Sequence, residues 1–165
     1  VDYPERNVQK QDLEFCAFSF DFPDYGEIVQ DSFYFEEEIL DKCWFDIIIK
    51  SLNGRVHCSY IPVKNRPHFD ELVKDAYELV FKHNVKANYR EETAIHFPER
   101  NIHGFEFDID GPVASHYQFY LTDSVHHFIR GSIYFKSQVD QDSIAPILSF
   151  VKNDVQHMIE TFEWK

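Results

Sequence analysis

The side chains best suited to chemistry lie close together, between residues 122 and 130. Asp123, Ser124, His126 and His127 are the residue types that a Ser-His-Asp relay uses. Side chains this near in sequence rarely form a relay, and the sequence indicates no oxyanion donor. The pattern therefore favours a turn that Asp123 and Ser124 cap over a nucleophilic centre.

Arg130 lies in the middle of the strand predicted after this turn, on the same face as Phe128. The opposite face of this strand suits a core beneath a helix. An arginine in such a position usually pairs with a structural carboxylate, here Asp123 or Glu160. It could instead hold an acidic partner or ligand, and that alternative stays open.

Histidines provide the weak candidates for a metal site. A turn through residues 98–101 would place His96 opposite His103, and a cross-strand pair of this kind could bind Zn²⁺. No third ligand from Cys, Asp or Glu is obvious nearby. His126 and His127 point to opposite sides of an extended segment, so they cannot chelate one ion. We expect ordinary sheet-surface histidines and no metal.

The glycine count excludes the common nucleotide-binding motifs. Only five glycines occur, and no two are closer than seven residues, so no glycine-rich phosphate loop or G-x-S-x-G elbow can form. H-E-x-x-H and C-x-x-C are also absent. The sequence therefore indicates no cofactor and no familiar catalytic centre.

The net charge limits the classes of molecule that the protein is expected to bind. With 16 Lys and Arg against 29 Asp and Glu, the net charge is −13, which repels nucleic-acid backbones and anionic lipid headgroups. No apolar run approaches the roughly 20 residues that span a bilayer. The sequence begins at Val1 without a signal segment, as expected of a trimmed mature fragment. Protein is the partner class that remains.

The elements that position these residues form an α+β domain. We predict an antiparallel sheet of about six to seven strands flanked by helices, in one domain over 13–165 after an extended leader over 1–12. Residues 24–42 hold seven carboxylates and read as a solvated loop or a short exposed helix. A three-residue loop at 110–112 would set Phe107 opposite Ser115. The predicted strands are 15–22, 43–50, 55–63 (joined to 43–50 by a two-residue Asn53-Gly54 turn), 93–97, 102–109, 113–122 and 127–135, and the predicted helices are 69–83 and one that starts at Asp142 or Ser143 and runs to Phe162.

Residues 112–135 and 143–165 resemble a known family. The run from Ala114-Ser115 through Leu121-Thr122-Asp123-Ser124 to Tyr134-Phe135, and the ending Glu160-Thr161-Phe162-Glu163-Trp164-Lys165, are similar to the gliding motility lipoprotein GldD family of Bacteroidota. Cys43-Trp44-Phe45 and the leader Asp2-Tyr3-Pro4-Glu5 fit the same family. The order of elements also resembles the Mog1/PsbP type of α/β/α sandwich.

The resemblance implies a cellular location and a role. It implies a lipoprotein anchored through an acylated cysteine upstream of Val1, exported to the periplasm-facing cell envelope and required for gliding motility. Its partners would be other gliding-motility or type IX secretion envelope proteins. The family has no established catalytic activity or cofactor.

The three cysteines allow one disulfide in an exported protein. If Asn53-Gly54 forms a two-residue turn, Cys58 lies opposite Ile49 and about 20 Å from Cys43, at roughly 3.3 Å per residue. A bridge needs Cα atoms within about 7 Å, so this pairing is excluded. Cys16 and Cys43 both begin predicted strands and share parity with the apolar face, so we predict a Cys16–Cys43 disulfide and a buried free thiol at Cys58.

Two functional hypotheses follow. The first is a non-enzymatic scaffold or assembly factor that acts by protein–protein contact through Thr122, Asp123, His127 and Arg130, with Arg130 as the leading residue. The alternative is a periplasmic ligand-binding module or hydrolase that uses the corner of Asp123, His127 and Arg130. A deep pocket with perturbed titratable groups would favour the alternative, and a shallow, aromatic, uncharged patch would favour the first.

Overall fold

The computed structural model of the chain divides into two units, Val1–His57 with Phe135–Lys165, and Cys58–Tyr134. The residues it describes are 2–14, 16–31, 33–34, 37–38, 43–82, 89–136 and 141–165, with side chains described outside 31–42, 82 and 141–143. The strands are β1 (Val8–Asp12), β2 (Phe18–Pro23), β3 (Glu27–Asp31), β4 (Phe33–Tyr34), β5 (Glu37–Glu38), β6 (Trp44–Ile49), β7 (Gly54–Pro62), β8 (Tyr89–Phe97), β9 (Ile102–Asp110), β10 (Tyr117–Thr122), β11 (His127–Phe135) and β12 (Glu163–Trp164). The helices are α1 (Arg66–Lys82) and α2 (Gln141–Thr161).

The sheets confirm the predicted fold class. Seven strands form one sheet in the order β3-β6-β7-β11-β10-β9-β8, and β7 begins in the first unit and ends in the second. The pairs β3/β6, β8/β9, β9/β10 and β10/β11 are antiparallel. A separate three-stranded sheet has the order β1-β2-β12, and β4 pairs with β5. Neither helix, within the described residues, has a stretch long and apolar enough to cross a membrane.

In the first unit, alternate side chains of β2 fill an aromatic core. Phe18, Phe20 and Phe22 are at most 1% exposed, as their period-2 spacing predicts. The ring of Phe162, at the end of α2, lies 4.8 Å from the ring of Phe18. The end of the chain then continues as β12, which pairs with β2. The C-terminus is therefore part of the packed structure.

The predicted disulfide is confirmed in the first unit. Cys16 and Cys43 are bonded, and Cys58 is a buried free cysteine. The turn assumed in the prediction was wrong, however. Residues Lys50–Leu52 form a 3-10 turn closed by Asn53, whose φ is 53°, and Gly54 already belongs to β7. The connection between β6 and β7 is longer than the predicted two-residue turn because Leu52 is buried in it, at 4% exposure.

The segments expected to be irregular contain strands. Residues 8–12 of the predicted leader are extended and pair with β2 as β1. Within the acidic stretch, β3 pairs with β6, which replaces the predicted loop or helix over Glu27–Asp31. Most of the remaining acidic stretch lies outside the described residues. Exposed polar strands such as β1 carry no alternating hydrophobic pattern, so periodicity does not reveal them.

In the second unit, α1 covers one sheet face. Its buried residues pack with β9, β10 and β11 in one cluster, formed by Leu72, Ala76, Val80, Phe107, Ile109, Tyr120 and Phe128. The face of Phe128 and Arg130 therefore lies under α1 and is a core face in addition to the opposite face, which the sequence assigned to a core beneath a helix. Ile129 and Ile133, on that opposite face, are also buried. Both faces of β11 carry buried apolar side chains, so alternation alone does not show which face α1 covers.

The helix starts differ from prediction. Helix α1 starts at Arg66 because the Asn65 side chain accepts the His68 backbone N–H (2.9 Å) and so caps the helix, and Pro67 is tolerated in the first turn. The predicted last residue, His83, lies outside the described residues. Helix α2 starts at Gln141, before both predicted caps, so Pro146 lies inside the helix.

Of two turns predicted in the second unit, the structure confirms one and contradicts the other. The turn through residues 98–101 pairs His96 with His103 as predicted, closed by Asn101. The predicted pairing of Phe107 with Ser115 is wrong, because Phe107 pairs with Gln118. The buried Ser115 hydroxyl lies 3.0 Å from the Tyr117 carbonyl oxygen and 2.8 Å from that of Ile133, which lengthens the loop and delays the start of β10.

Candidate functional site

The candidate residues meet at the turn between β10 and β11, residues 122–127, here called the β10–β11 turn. Thr122 is only 2% exposed, and its hydroxyl forms hydrogen bonds within the turn. Its Oγ1 donates to the carbonyl oxygen of His127 (2.6 Å) and accepts the backbone N–H of Ser124 (2.9 Å). Ser124 has a φ of 71°, a left-handed conformation that a non-glycine residue adopts only where the surroundings hold it. Thr122 thus shapes the turn and is not presented to a partner.

Asp123 holds the same turn from its other side. Its Oδ1 accepts the backbone N–H groups of Val125 (3.0 Å), His126 (2.8 Å) and His127 (2.8 Å). Burial works to raise the pKa of Asp123, but these three donors outweigh it and leave the pKa below its ordinary value. The carboxylate is therefore ionised at neutral pH and acts as a structural cap, which confirms the turn interpretation.

The Ser-His-Asp relay that the sequence argued against does not form between Ser124 and the neighbouring histidines. The Ser124 hydroxyl contacts Nε2 of His103, on β9, and not His126 or His127. The backbone N–H groups of Ser124 through His127 are all engaged by Thr122 or Asp123. This turn therefore offers no backbone oxyanion donor to go with the Ser124–His103 contact. Sequence reasoning missed this contact because it joins residues 21 positions apart.

His127 is held from β7. Its Nδ1 and the hydroxyl of Tyr60 share a hydrogen bond of 2.6 Å. Burial lowers the pKa of His127, against the raising effect of the Asp123 carboxylate, and His126 lowers it further. His127 is therefore neutral at pH 7, as a fixed hydrogen-bonding group at the base of the turn.

Arg130 lines a shallow cleft beside α1. The cleft has a volume of about 270 Å³, and its other lining residues are Asp75, Glu78 and Leu79. The carboxylates nearest Arg130 in this cleft thus come from α1, whereas the sequence suggested Asp123 or Glu160. The cleft is neither a deep pocket nor an uncharged aromatic patch, so it does not by itself choose between the two functional hypotheses.

The histidines do not assemble into a metal centre in the described part of the chain. The rings of His96 and His103 lie side by side, with centroids 6.3 Å apart. No group of three His, Cys, Asp or Glu side chains among the described residues could hold an ion. The rings of His126 and His127 are 6.2 Å apart because the turn is bent there, and not extended as the sequence argument assumed.

The tip of the β10–β11 turn is exposed to solvent. Val125 is 60% exposed and the side chain of His126 is 75% exposed, whereas Thr122 and Asp123 are buried. The arrangement therefore displays an aliphatic side chain and an imidazole on a turn fixed by at least five internal hydrogen bonds.

Comparisons with known proteins address the whole chain. The family model described as gliding motility lipoprotein GldD matches residues 1–164. No curated protein matches the chain. The solution structure of cyanobacterial PsbP (CyanoP) from Synechocystis sp. PCC 6803 is similar in fold, with a TM-score of 0.53 at 8% identity, over 98% of this chain and 95% of that one. This similarity supports the α/β sandwich that the element order suggested.

Proposed function

Because the chain belongs to the gliding motility lipoprotein GldD family, we propose that it acts in gliding motility as a non-enzymatic scaffold or assembly factor. The family is one of lipoproteins, that is, of membrane-anchored envelope proteins. The proposal adds that the domain faces the periplasm and contacts other gliding-motility or type IX secretion envelope proteins. The net charge of −13 supports protein over nucleic acid as the partner class.

The observation that carries this proposal is the exposure of Val125 on a prearranged turn. Association is weakened by the entropy of ordering a mobile contact segment. The bonds from Thr122 and Asp123 have already ordered this turn, so docking would leave little further entropy to lose. An exposed aliphatic side chain on a rigid support can be buried against a partner without further ordering of the turn.

The proposed contact differs from the one expected from the sequence. Thr122 and Asp123 are buried and support the surface from beneath. Val125 and His126 make the contact, and the half-buried His127 and Arg130 remain candidate members of it. The expected result is that substitutions at 122 and 123 act through folding, whereas substitution at 125 acts on binding.

A ligand-binding module or hydrolase is the alternative function. The observation in its favour is the contact between the Ser124 hydroxyl and His103 Nε2. The engagement of all four backbone N–H groups in the turn argues against acyl transfer at Ser124. Labelling of the purified protein by a fluorophosphonate probe, abolished by Ser124→Ala and by His103→Ala, would support the alternative and contradict the scaffold proposal.

Gliding assays with matched variants test the proposal. Val125→Asp should impair gliding at normal protein level and normal melting temperature, because a charge at the contact must be desolvated. The control is Val8→Asp, since Val8 is exposed to 43% and is distant in sequence. His127→Ala and Arg130→Ala should impair gliding less. Normal gliding of the Val125 variant, or equal defects in it and the Val8 variant, would show that the turn is not the contact.

A further inference from the structure

Strand β8 lies at one end of the seven-stranded sheet. It pairs with β9 over nine consecutive residues, from Tyr89 opposite Asp110 to Phe97 opposite Ile102, without a bulge. Among the described residues, β9 is its one sheet neighbour. An antiparallel pair uses the backbone groups of alternate residues, so the other set of β8 backbone groups points away from β9. This edge can hydrogen-bond a further strand.

The edge lacks most of the features that prevent strand addition. The strand of nine residues exceeds the usual five or six and contains no proline and no lysine, and each side chain from Tyr89 to Ala94 is exposed. The strand at the other end of the sheet order, β3, has five residues. Strand β8 does carry charged side chains, those of Arg90, Glu91 and Glu92, and its net negative charge favours a basic partner segment.

One face beside the edge is acidic. Glu91 stands directly opposite Asp108, and the next positions on this face hold Glu106 and Asp110. Like charges opposite each other destabilise a strand pair unless cations come close. Tyr89, on the same face, reports this negative field, since the Glu91 carboxylate is the main cause of its raised pKa.

The other face beside the edge is mixed, since β8 places Arg90, Glu92 and Ala94 on it. Arg90 lies over the ring of Phe81, 4.2 Å from its centroid, and Phe81 is still 46% exposed. Ala94 is exposed on this face. A strand added next to β8 would therefore meet carboxylates on one face. On the other it would meet the exposed ring of Phe81 and Ala94, with Glu92 between Arg90 and Ala94.

We propose that β8 accepts an extended segment of a partner protein as an added strand. The segment alternates Lys or Arg, placed beside Glu91, with apolar residues placed beside Ala94 and Phe81. A second copy of this chain fits less well, because each β8 carries Glu91 and Glu92 against Arg90 and two such edges would both be acidic. The inference does not depend on the β10–β11 turn, and it would stand if Val125 made no contact.

Peptide binding to the purified chain tests the inference. The probe is a seven-residue peptide of alternating lysine and valine, and the control has the same charge with a central proline, which cannot complete a strand ladder. Amide hydrogen exchange should show new protection at alternate residues of β8 with the probe. The affinity of the control peptide should be lower by about tenfold or more, because main-chain hydrogen bonds supply much of the affinity in strand addition. Equal binding of both peptides, or protection confined to residues outside β8, would overturn the inference.

A charge reversal identifies the partner's chemistry. Glu91→Lys should weaken probe binding about tenfold, since an attractive cross-strand pair becomes a repulsive one. The control is Glu71→Lys, which makes the same change of charge on the exposed side of α1 and should leave binding unchanged. Equal weakening by both variants would show attraction by overall charge and would contradict a β8 site.

Discussion

Asp123→Ala is the substitution that best tests how the β10–β11 turn is built. The wild-type carboxylate accepts three backbone N–H groups through Oδ1. Hydrogen bonds to charged groups typically contribute about 1.5–3 kcal/mol each. Three donors share one oxygen here, and water can reach the tip of the turn, so the sum must be reduced. We expect a loss of about 2–4 kcal/mol in the free energy of unfolding at neutral pH.

Urea unfolding followed by far-UV circular dichroism measures this loss, with the disulfide intact. The matched control is Asp110→Ala, because exposed Asp110 also caps a turn but accepts one described backbone N–H, that of Gly111. The control should cost about 0.5 kcal/mol or less, as surface substitutions usually do. Equal losses in the two variants would refute the assignment of Asp123 as the cap of the turn.

The pH dependence adds an independent check. The pKa of Asp123 is lowered in the folded state, so its ionised form stabilises the fold above its ordinary pKa of 3.8. This contribution is lost as the pH falls through the lowered folded-state pKa. The stability difference between wild type and Asp123→Ala should therefore be constant near neutral pH and shrink below about pH 4. A difference that persists unchanged at pH 2 would contradict the charge-assisted cap.

Three further predictions concern stability and metal content. Replacing Cys16 and Cys43 by Ser should cost about 3–4 kcal/mol of unfolding free energy, because the bridge closes a separation of 27 residues; an unchanged urea midpoint would contradict this. Deleting residues 160–165 should cost about 3–5 kcal/mol, since it removes the fully buried Phe162, and a truncated chain that melts within a degree or two of the parent would show the end to be dispensable. Elemental analysis of the purified chain should find no stoichiometric transition metal, and a chelator should not lower the melting temperature; about one zinc per chain would overturn this expectation.

Local pattern predicted much of the fold. The register of β8 with β9 followed from a single turn, because a hairpin couples neighbouring residues and leaves few alternatives. The buried face of β2 followed from the alternation of Phe18, Phe20 and Phe22. The Cys16–Cys43 bridge was predicted correctly even though one assumed turn was wrong.

Contacts between distant residues could not be predicted in the same way. Asp154 lies on the apolar stripe of α2 at 3% exposure, where a carboxylate is unexpected. It is satisfied by Arg6, whose Nε donates to Oδ1 at 2.7 Å, and by the hydroxyl of Tyr25. Arg6 lies 148 positions away in the predicted leader, and no local pattern connects the two residues.

The sequence singled out the β10–β11 turn but did not predict which of its side chains are exposed. The positions 122–130 do contain the ordered turn, yet polar residue type suggested that Thr122 and Asp123 face a partner. Their oxygens instead satisfy backbone donors of the turn itself, a competition that residue type alone does not settle. Val125, which is exposed beside His126, has no polar group, so residue type gives no reason to expect it at a functional surface.

Position-specific photo-crosslinking in gliding cells tests the central claim most directly. A photoreactive amino acid would replace Val125 in one strain, and Val8 or Glu71 in control strains, all three positions being exposed. The account predicts one discrete adduct with an envelope protein from position 125, and none from the control positions. No adduct at 125 in cells that glide normally, or the same adducts from all three positions, would contradict a contact made by the β10–β11 turn.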